Sequence, residues 1–350
     1  MEPAVRTLFR TWADGWAQMR SPLMGALGRA LADVLDETTE TGRRVLGWTG
    51  DPKADAVPIR ITGGLNAIRR TGDSPALAAL YPPNSLPSQA EIERVLAEIL
   101  PQIDAELATW LDAAPQTNEV GRAAVIYPAL MLIAARTGLP LRLFELGASA
   151  GLNLHLDRFA YDFGGTRAGE KYGAVWLAPD WSGAAPVIAP VEIASRSGVD
   201  INPLDVSDPA VRKRLMAYCW PDQPERVARL EAALDLAARH PIRLDAADAA
   251  DWVDAHISPQ KDRATIVFHT IAFQYFPEDS KRRITAHMER QGHAATAGAP
   301  LFWLRFEDEY EDGRIAPTLR LKSWPGGRDE HLADAHPHGT KISWHHMPAS

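Results

Sequence analysis

Leu141-Arg-Leu-Phe-Glu145-Leu-Gly147-Ala-Ser149-Ala-Gly151-Leu-Asn153-Leu-His-Leu-Asp-Arg-Phe159 is the stretch that decides the fold. Leu141 to Leu146 reads as a strand, Gly147 to Gly151 as a turn of small residues, and Leu152 to Phe159 as the helix that follows. Small residues let the backbone approach a ligand closely, and a helix start offers N–H groups with no intrahelical partner. The acid on the strand, Glu145, strengthens the reading of this segment as a ligand turn.

Downstream of the turn, short apolar runs alternate with helical patterns. The expected strands are Leu141–Leu146, Val187–Ala194, Ile242–Asp245, Thr265–Thr270, Leu301–Phe306, Leu319–Ser323 and Ile342–His345. Helices are expected from Asp208 to Tyr218, from Asp222 to Arg239 and from Glu278 to Arg290. Strand–helix alternation predicts a parallel sheet covered on both faces. The last two strands have Pro325-Gly326-Gly327 and a polar loop between them, which suits a hairpin-like pair at the sheet edge. Upstream of Leu141 the pattern is helical. Val5, Leu8, Phe9, Trp12, Trp16 and Met19 have helical spacing, Ser21-Pro22 reads as a cap and first-turn proline, and Ser88 with Glu91 opens a good helix. Trp48 to Pro87, broken by Gly63-Gly64 and several prolines, reads as loops with short helices. The organisation expected is a helical extension over 1–140 and an α/β domain over 141–350.

Bulk properties narrow the function classes. The 350 residues are 46% hydrophobic and 23% charged with a net charge of −8, an ordinary folded composition that argues against non-specific nucleic-acid binding. The single cysteine, Cys219, rules out an intrachain disulfide. Charged residues interrupt the first twenty positions, and no uninterrupted apolar run reaches the roughly 20 residues that span a bilayer. The expectation is a cytoplasmic protein that acts on a small molecule, with no membrane or nucleic-acid partner. Its oligomeric state is not readable.

Two chemistries use such a turn. In one, Glu145-x-Gly147-x-Ser149-x-Gly151 resembles motif I of class I S-adenosylmethionine methyltransferases, where the turn lies under the methionine part of the cofactor. In the other, Gly147-x-Ser149-x-Gly151 matches the nucleophile elbow of α/β-hydrolases, with Ser149 served by a later acid and a histidine such as His338. A turn kept small for packing alone is the third reading. Chain order favours the first. A hydrolase elbow follows several strands of its own sheet, whereas the residues before Leu141 read as helical and Gly63-Gly64 has no histidine before it. A methyltransferase puts motif I on the first strand, and seven strands are counted from Leu141 onward. The fold expected is a Rossmann-like class I methyltransferase sheet of seven mostly parallel strands, with S-adenosylmethionine as cofactor. The serine esterase and a non-catalytic protein of the same fold are the alternatives.

The methyltransferase resemblance implies roles for further residues. Glu145, Gly147, Ser149, Gly151 and Asn153 would line the cofactor. Asp200 or Asp205 would bind the ribose hydroxyls, with Asp200 preferred; a solvated turn acid is the other reading. Asp248 would accept from the adenine amino group and Trp252 would cover the ring, or Asp248 is a helix cap and Trp252 a core residue. His269 lies near the end of the fourth strand, and Gln274 and Tyr275 follow it, where substrate would meet the methyl group. A histidine there can take a proton from an oxygen or nitrogen nucleophile, or it is a hydrogen-bonded core group. Arg122 would pair with a carboxylate of the ligand, or it is a surface arginine at a helix start. Glu307 to Asp312 is an acidic run read as a solvated loop. His331, His336, His338, His345 and His346 have no cysteine beside them and match no zinc spacing, so no metal is expected.

The whole chain resembles an uncharacterised bacterial family designated domain of unknown function 2332. Ser21-Pro-Leu23, Thr117-Asn-Glu-Val-Gly-Arg122, Glu145 to Leu154, Gly198-Val-Asp-Ile-Asn-Pro-Leu-Asp205, Trp220-Pro-Asp-Gln223, Trp324-Pro-Gly-Gly327 and His336-Pro-His-Gly339 carry the resemblance. It implies a methyltransferase-like fold and no particular substrate. Two departures from the stricter methyltransferase pattern stand out. Ser149 replaces the middle glycine, and no Asn/Asp-Pro-Pro-aromatic string follows the fourth strand, which speaks against amino-directed base or amide methylation.

Overall fold

A computed structural model describes residues 2–311 and 314–346. Six helices come first: α1 (Glu2–Gln18), α2 (Pro22–Val34), α3 (Glu40–Leu46), α4 (Val57–Thr71), α5 (Pro75–Ala79) and α6 (Gln89–Ala108). Next are α7 (Ala123–Thr137), β1 (Leu141–Leu146), β2 (Ala160–Phe163), β3 (Thr166–Gly169), β4 (Trp176–Leu177), β5 (Asp180–Gly183) and β6 (Ile193–Asp200). The chain continues through α8 (Pro209–Tyr218), α9 (Pro224–Arg239), β7 (Leu244–Ala246), α10 (Ala249–His256), β8 (Ala264–Thr270) and α11 (Glu278–Ala294). It ends with β9 (Leu301–Glu311), β10 (Arg314–Trp324), β11 (Arg328–Ala335) and β12 (Lys341–Trp344). Two compact units result: Met1–Thr117 with Asp208–Glu231, and Asn118–Ser207 with Ala232–Ser350. The 140/141 boundary read from sequence falls inside the second unit, between α7 and β1.

The first unit is helical. α6 begins as the sequence predicts: Ser88 Oγ accepts from the Glu91 N–H at 3.3 Å, and Ile92, Val95, Leu96, Ile99 and Leu100 are buried. Two expectations need correction. Trp48–Pro87 is not mainly loop, because α4 runs through Gly63 and Gly64. A Cβ on Gly63 would stand 2.5 Å from the Tyr218 ring, and one on Gly64 would stand 2.7 Å from Leu107. These glycines permit close helix packing; they do not break the helix. Nor does the Ser21 side chain cap α2. That role falls to Asp222, whose carboxylate accepts from Leu23 N at 2.9 Å and from Ser21 Oγ at 2.6 Å.

The second unit is built on a nine-stranded sheet ordered β5-β12-β11-β10-β9-β8-β1-β6-β7. β7, β6, β1, β8 and β9 are parallel to their neighbours, whereas β9 to β12 form an antiparallel meander. Numbered in chain order, the parallel strands read 3-2-1-4-5, the order of a doubly wound nucleotide-type sheet. The seven strands expected are therefore nine, and the final pair is not adjacent: β11 lies between β10 and β12. Its polar sequence hid it, because Arg136 on α7 reaches Glu330 on β11 through two hydrogen bonds of 2.8 and 3.0 Å. The strand expected at Val187–Ala194 forms at β6. Pro186 and Pro190 supply no ladder N–H, so pairing starts only after them. The segment from Ala160 to Gly183 adds a separate three-stranded sheet ordered β3-β2-β4, and β5 at the edge of the main sheet.

Phe144, Leu146, Val199, Val267 and Trp303 of the sheet bury against Trp252, Val253, Ile284 and Met288 of α10 and α11. α7 packs against β9, β10 and β11. Every residue of α7 from Ala123 to Ala134 is buried, the pattern of a central core helix. Val120–Thr137 is apolar and long enough to cross a membrane by length and composition, and 78% of it is buried within the protein.

Candidate functional site

β1 leads into the turn, and backbone geometry defines it. Gly147, Ser149 and Gly151 have φ of +68°, +53° and +68°. The expected helix after the turn is a 3₁₀ segment, Leu152–Arg158. β6 supplies the brace. Asp200, at its carboxyl end, accepts from Ser149 N at 2.8 Å and from Asn202 N at 2.9 Å. The Leu204 N–H returns to the Ser149 carbonyl at 2.9 Å. Asp200, the preferred ribose acid, thus reaches the turn. Asp205 is exposed and accepts from Ser207 N at 2.8 Å, as a turn acid does.

Glu145 is buried beneath this turn. Burial pushes its carboxyl well above the ordinary range; the nearby Asp200 charge adds to the shift, while Arg122 and a hydrogen bond from Asn153 oppose it. Its Oε2, Ser149 Oγ and Asn153 Oδ1 are buried atoms with no hydrogen-bond partner. An unsatisfied buried polar group costs about 1–3 kcal/mol. Three such atoms lie within nine residues of one turn.

β8 supplies a second buried polar group, one residue beyond Phe268, which pairs with Glu145. His269 is wholly buried, and its Nδ1 lies 2.6 Å from Glu307 Oε1. Glu307 also accepts from the N–H groups of Ala272 (3.0 Å) and Phe273 (3.1 Å). Burial raises the Glu307 pKa, but the His269 hydrogen bond and charge and these backbone donors outweigh it and hold the carboxyl below its usual range. Glu307 accepts from Nδ1, and Nε2 on the other side of the ring is buried without a hydrogen-bond partner. Glu307 was missed because it opens an acidic run. The structure extends β9 through that run, and the parallel register Thr270↔Phe306 sets Glu307 next beyond His269's strand. The solvated-loop reading is corrected for Glu307; Asp308 is exposed, its pKa raised by partial desolvation and by Glu307, Glu309 pairs with Arg320 at 2.9 Å, and Asp312 lies outside the described residues.

The other sequence candidates separate. Arg122 ties the site together: its Nη1 donates to the Thr270 carbonyl at 2.8 Å and its Nε to the Pro337 carbonyl at 3.0 Å, while its charge acts on Glu145 and Asp308. Gln274 and Tyr275 are exposed beyond β8, Tyr275 at 78%. Asp248 caps α10, accepting from Ala250 N at 2.8 Å and Asp251 N at 3.3 Å, and its other oxygen accepts from Ser280 Oγ at 3.0 Å. Trp252 lies in the core, its Nε1 donating to Asp245 at 2.8 Å and its ring edge-on to Phe144. Both therefore have the structural role that the sequence left open beside the adenine role. Gly147 and Gly151 have packing reasons of their own. A Cβ on Gly147 would stand 2.7 Å from that of Ala272, and one on Gly151 would stand 3.1 Å from Leu244.

Six of the seven strings that carry the family resemblance meet in pairs. Ser21-Pro-Leu23 meets Trp220-Pro-Asp-Gln223 through Asp222. The β1 turn meets Gly198–Asp205 through Asp200 and Leu204. Thr117–Arg122 meets His336–Gly339 where Arg122 reaches Pro337. The sequence profile of uncharacterised proteins conserved in bacteria, domain of unknown function 2332, matches residues 6–344. The chain belongs to this family. No curated protein and no solved structure matches it.

Proposed function

We propose that this member of the family is an S-adenosylmethionine-dependent methyltransferase acting on a small molecule. One observation carries the reading. The parallel strands change direction of progression between β1 and β8, and ligands of open α/β sheets bind beyond the carboxyl ends at such a switch point. Near the ends of the two strands, Glu145, Ser149, Asn153 and His269 each carry a buried polar atom without a hydrogen-bond partner.

The residues suit a cationic ligand rich in hydroxyl and amino groups. Glu145 and Asp200 are the acceptors nearest the turn, and a cation arriving beside Glu145 favours its ionised form. The cofactor, when bound, supplies an electrophilic methyl group on sulfur. His269 is the base that takes a proton from the acceptor's oxygen or nitrogen at Nε2, and Glu307 fixes its tautomer and ring direction. Gln274 and Tyr275, exposed above it, are placed to meet the substrate. In-line displacement gains most of its rate from alignment, which the rigid strand ends supply.

Calorimetric titration of the purified protein with S-adenosylmethionine and S-adenosylhomocysteine tests the reading. Binding of both, weakened by Asp200→Ala, supports it; no binding of either at millimolar concentration sinks it. The serine-hydrolase reading is favoured by one feature, the strained φ of +53° at Ser149. Against it, Ser149 Oγ has no imidazole partner. Labelling by a fluorophosphonate that disappears in Ser149→Ala would reverse the preference.

A further inference from the structure

The antiparallel end of the sheet holds a second cluster, remote in sequence from the turn. His331 and Asp334 belong to β11, and His345 follows β12 directly. β11 carries a bulge. Leu319 and Arg320, neighbours on β10, pair with Ala333 and His331, so Leu332 is an extra residue. An extra residue reverses the alternation of inside and outside along a strand. Before the bulge Glu330 and Leu332 are buried and His331 faces outward; after it Ala333 is buried and Asp334 faces outward. In a regular strand two residues three apart point to opposite faces. Here the bulge brings His331 and Asp334 to the same one. His345 joins them: it follows the buried Trp344, is exposed, and its N–H donates to the carbonyl of the bulged Leu332 at 2.8 Å.

The three side chains converge. Nε2 of His331 lies 2.7 Å from Oδ1 of Asp334, and Nε2 of His345 lies 2.9 Å from Oδ2. One nitrogen or oxygen from each residue falls within 4.8 Å of the others. The side chains retain 28%, 45% and 42% of their exposure, which gives an ion a way in.

We propose that His331, Asp334 and His345 form a binding site for a divalent transition cation of the zinc class. Two imidazole nitrogens with one carboxylate oxygen suit zinc, nickel, iron and copper; calcium and magnesium take oxygen ligands. Three protein ligands from one face leave positions for solvent, the coordination of an open zinc site. Zinc–ligand bonds of about 2.0–2.1 Å in a tetrahedron set ligand atoms roughly 3.3 Å apart, so the side chains need only small rotations, exchanging their mutual hydrogen bonds for bonds to the ion. Histidine spacing alone gave no reason to expect a metal. The third ligand is an aspartate, and the bulge that aims it leaves no trace in a spacing pattern.

Cobalt(II) is the probe, titrated into the full chain with any affinity tag removed. The expected result is one equivalent bound with visible d–d absorption, displaced by zinc and untouched by magnesium. In the triple variant His331→Ala, Asp334→Ala, His345→Ala the affinity falls by about 100-fold or more, beyond the loss seen when even an outer partner of a ligand is removed. An unchanged circular dichroism spectrum shows that the triple variant folds, and the single variant His345→Ala gives the same readout should it not. Failure of the wild type to bind cobalt or zinc at submillimolar concentration overturns the proposal, as does equal binding by wild type and variants. Neither result bears on S-adenosylmethionine binding at the β1 turn.

Discussion

Replacing Glu145 by glutamine should stabilise the ligand-free protein, and increasingly so as pH rises. Glu145 is fully buried, its carboxyl is pushed well above the ordinary 4.5 first by burial and then by Asp200, and one oxygen has no partner. The folded pKa is the raised one. Between pH 4.5 and that value the unfolded chain has lost a proton that the folded chain still holds, so stability is whole below 4.5 and declines as pH rises. The slope is about 1.4 kcal/mol per pH unit. From 4.5 to 7 is 2.5 units, which sets a ceiling of about 3.4 kcal/mol on what Glu145 costs at pH 7. Glutamine has nearly the same shape and carries no charge to desolvate. Urea unfolding of both proteins at half-unit steps from pH 5 to 7.5 is the assay. The gap between variant and wild type should widen with pH toward that ceiling. A gap that stays flat, or a variant less stable throughout, refutes the assignment of Glu145 as a carboxyl held protonated by its surroundings.

Glu307→Gln should destabilise by about 1–3 kcal/mol, because a charged acceptor of the His269 imidazole and two backbone N–H groups is lost; thermal unfolding at pH 7 reads it. The sign is opposite to that of Glu145: the Glu307 pKa is depressed on folding, so its contribution is present above the unfolded value and disappears as pH falls through the folded one. Asp200→Ala removes the acceptor for Ser149 N and Asn202 N, and S-adenosylmethionine affinity measured by calorimetry should drop by about tenfold or more, the worth of one charged hydrogen bond of ~1.5–3 kcal/mol. Gly147→Ala places a Cβ 2.7 Å from Ala272 at a φ of +68° and should cost about 1–3 kcal/mol in a urea titration.

What could be read from the sequence followed from which interactions are local. β1, β8 and α6 formed where periodicity placed them, because their apolar pattern and caps lie within the element itself. β11 and the true start of β6 escaped, since both are polar strands defined by neighbours far along the chain. β11 is anchored by Arg136 on α7, and β6 gains its place by pairing with β1. α4 escaped for a related reason: glycine lowers helix propensity locally, while the Tyr218 ring that demands Gly63 lies more than a hundred residues away. At the site, His269 was legible as a strand-end histidine. Glu307 was not, because only the β8–β9 register turns an acid from a charged run into an imidazole partner.

The glycines that first drew attention to the turn now carry less of the ligand argument than their neighbours do. Gly147 is small because Ala272 lies against it, and Gly151 because Leu244 does. Packing is thus a sufficient reason for both, and a protein with no ligand would need them equally. The same does not hold for Glu145. A buried acid beside Asp200 contributes nothing to packing that glutamine or leucine would not, and its ionisation is penalised by its surroundings. Nor does packing account for Ser149 Oγ, Asn153 Oδ1 and His269 Nε2, each buried without a partner. The two sets of residues therefore make separable predictions. Glycine substitutions should act on stability, whereas Glu145→Gln should weaken binding while raising stability. Opposite signs for one variant are the mark of a group retained for a ligand at the expense of the fold.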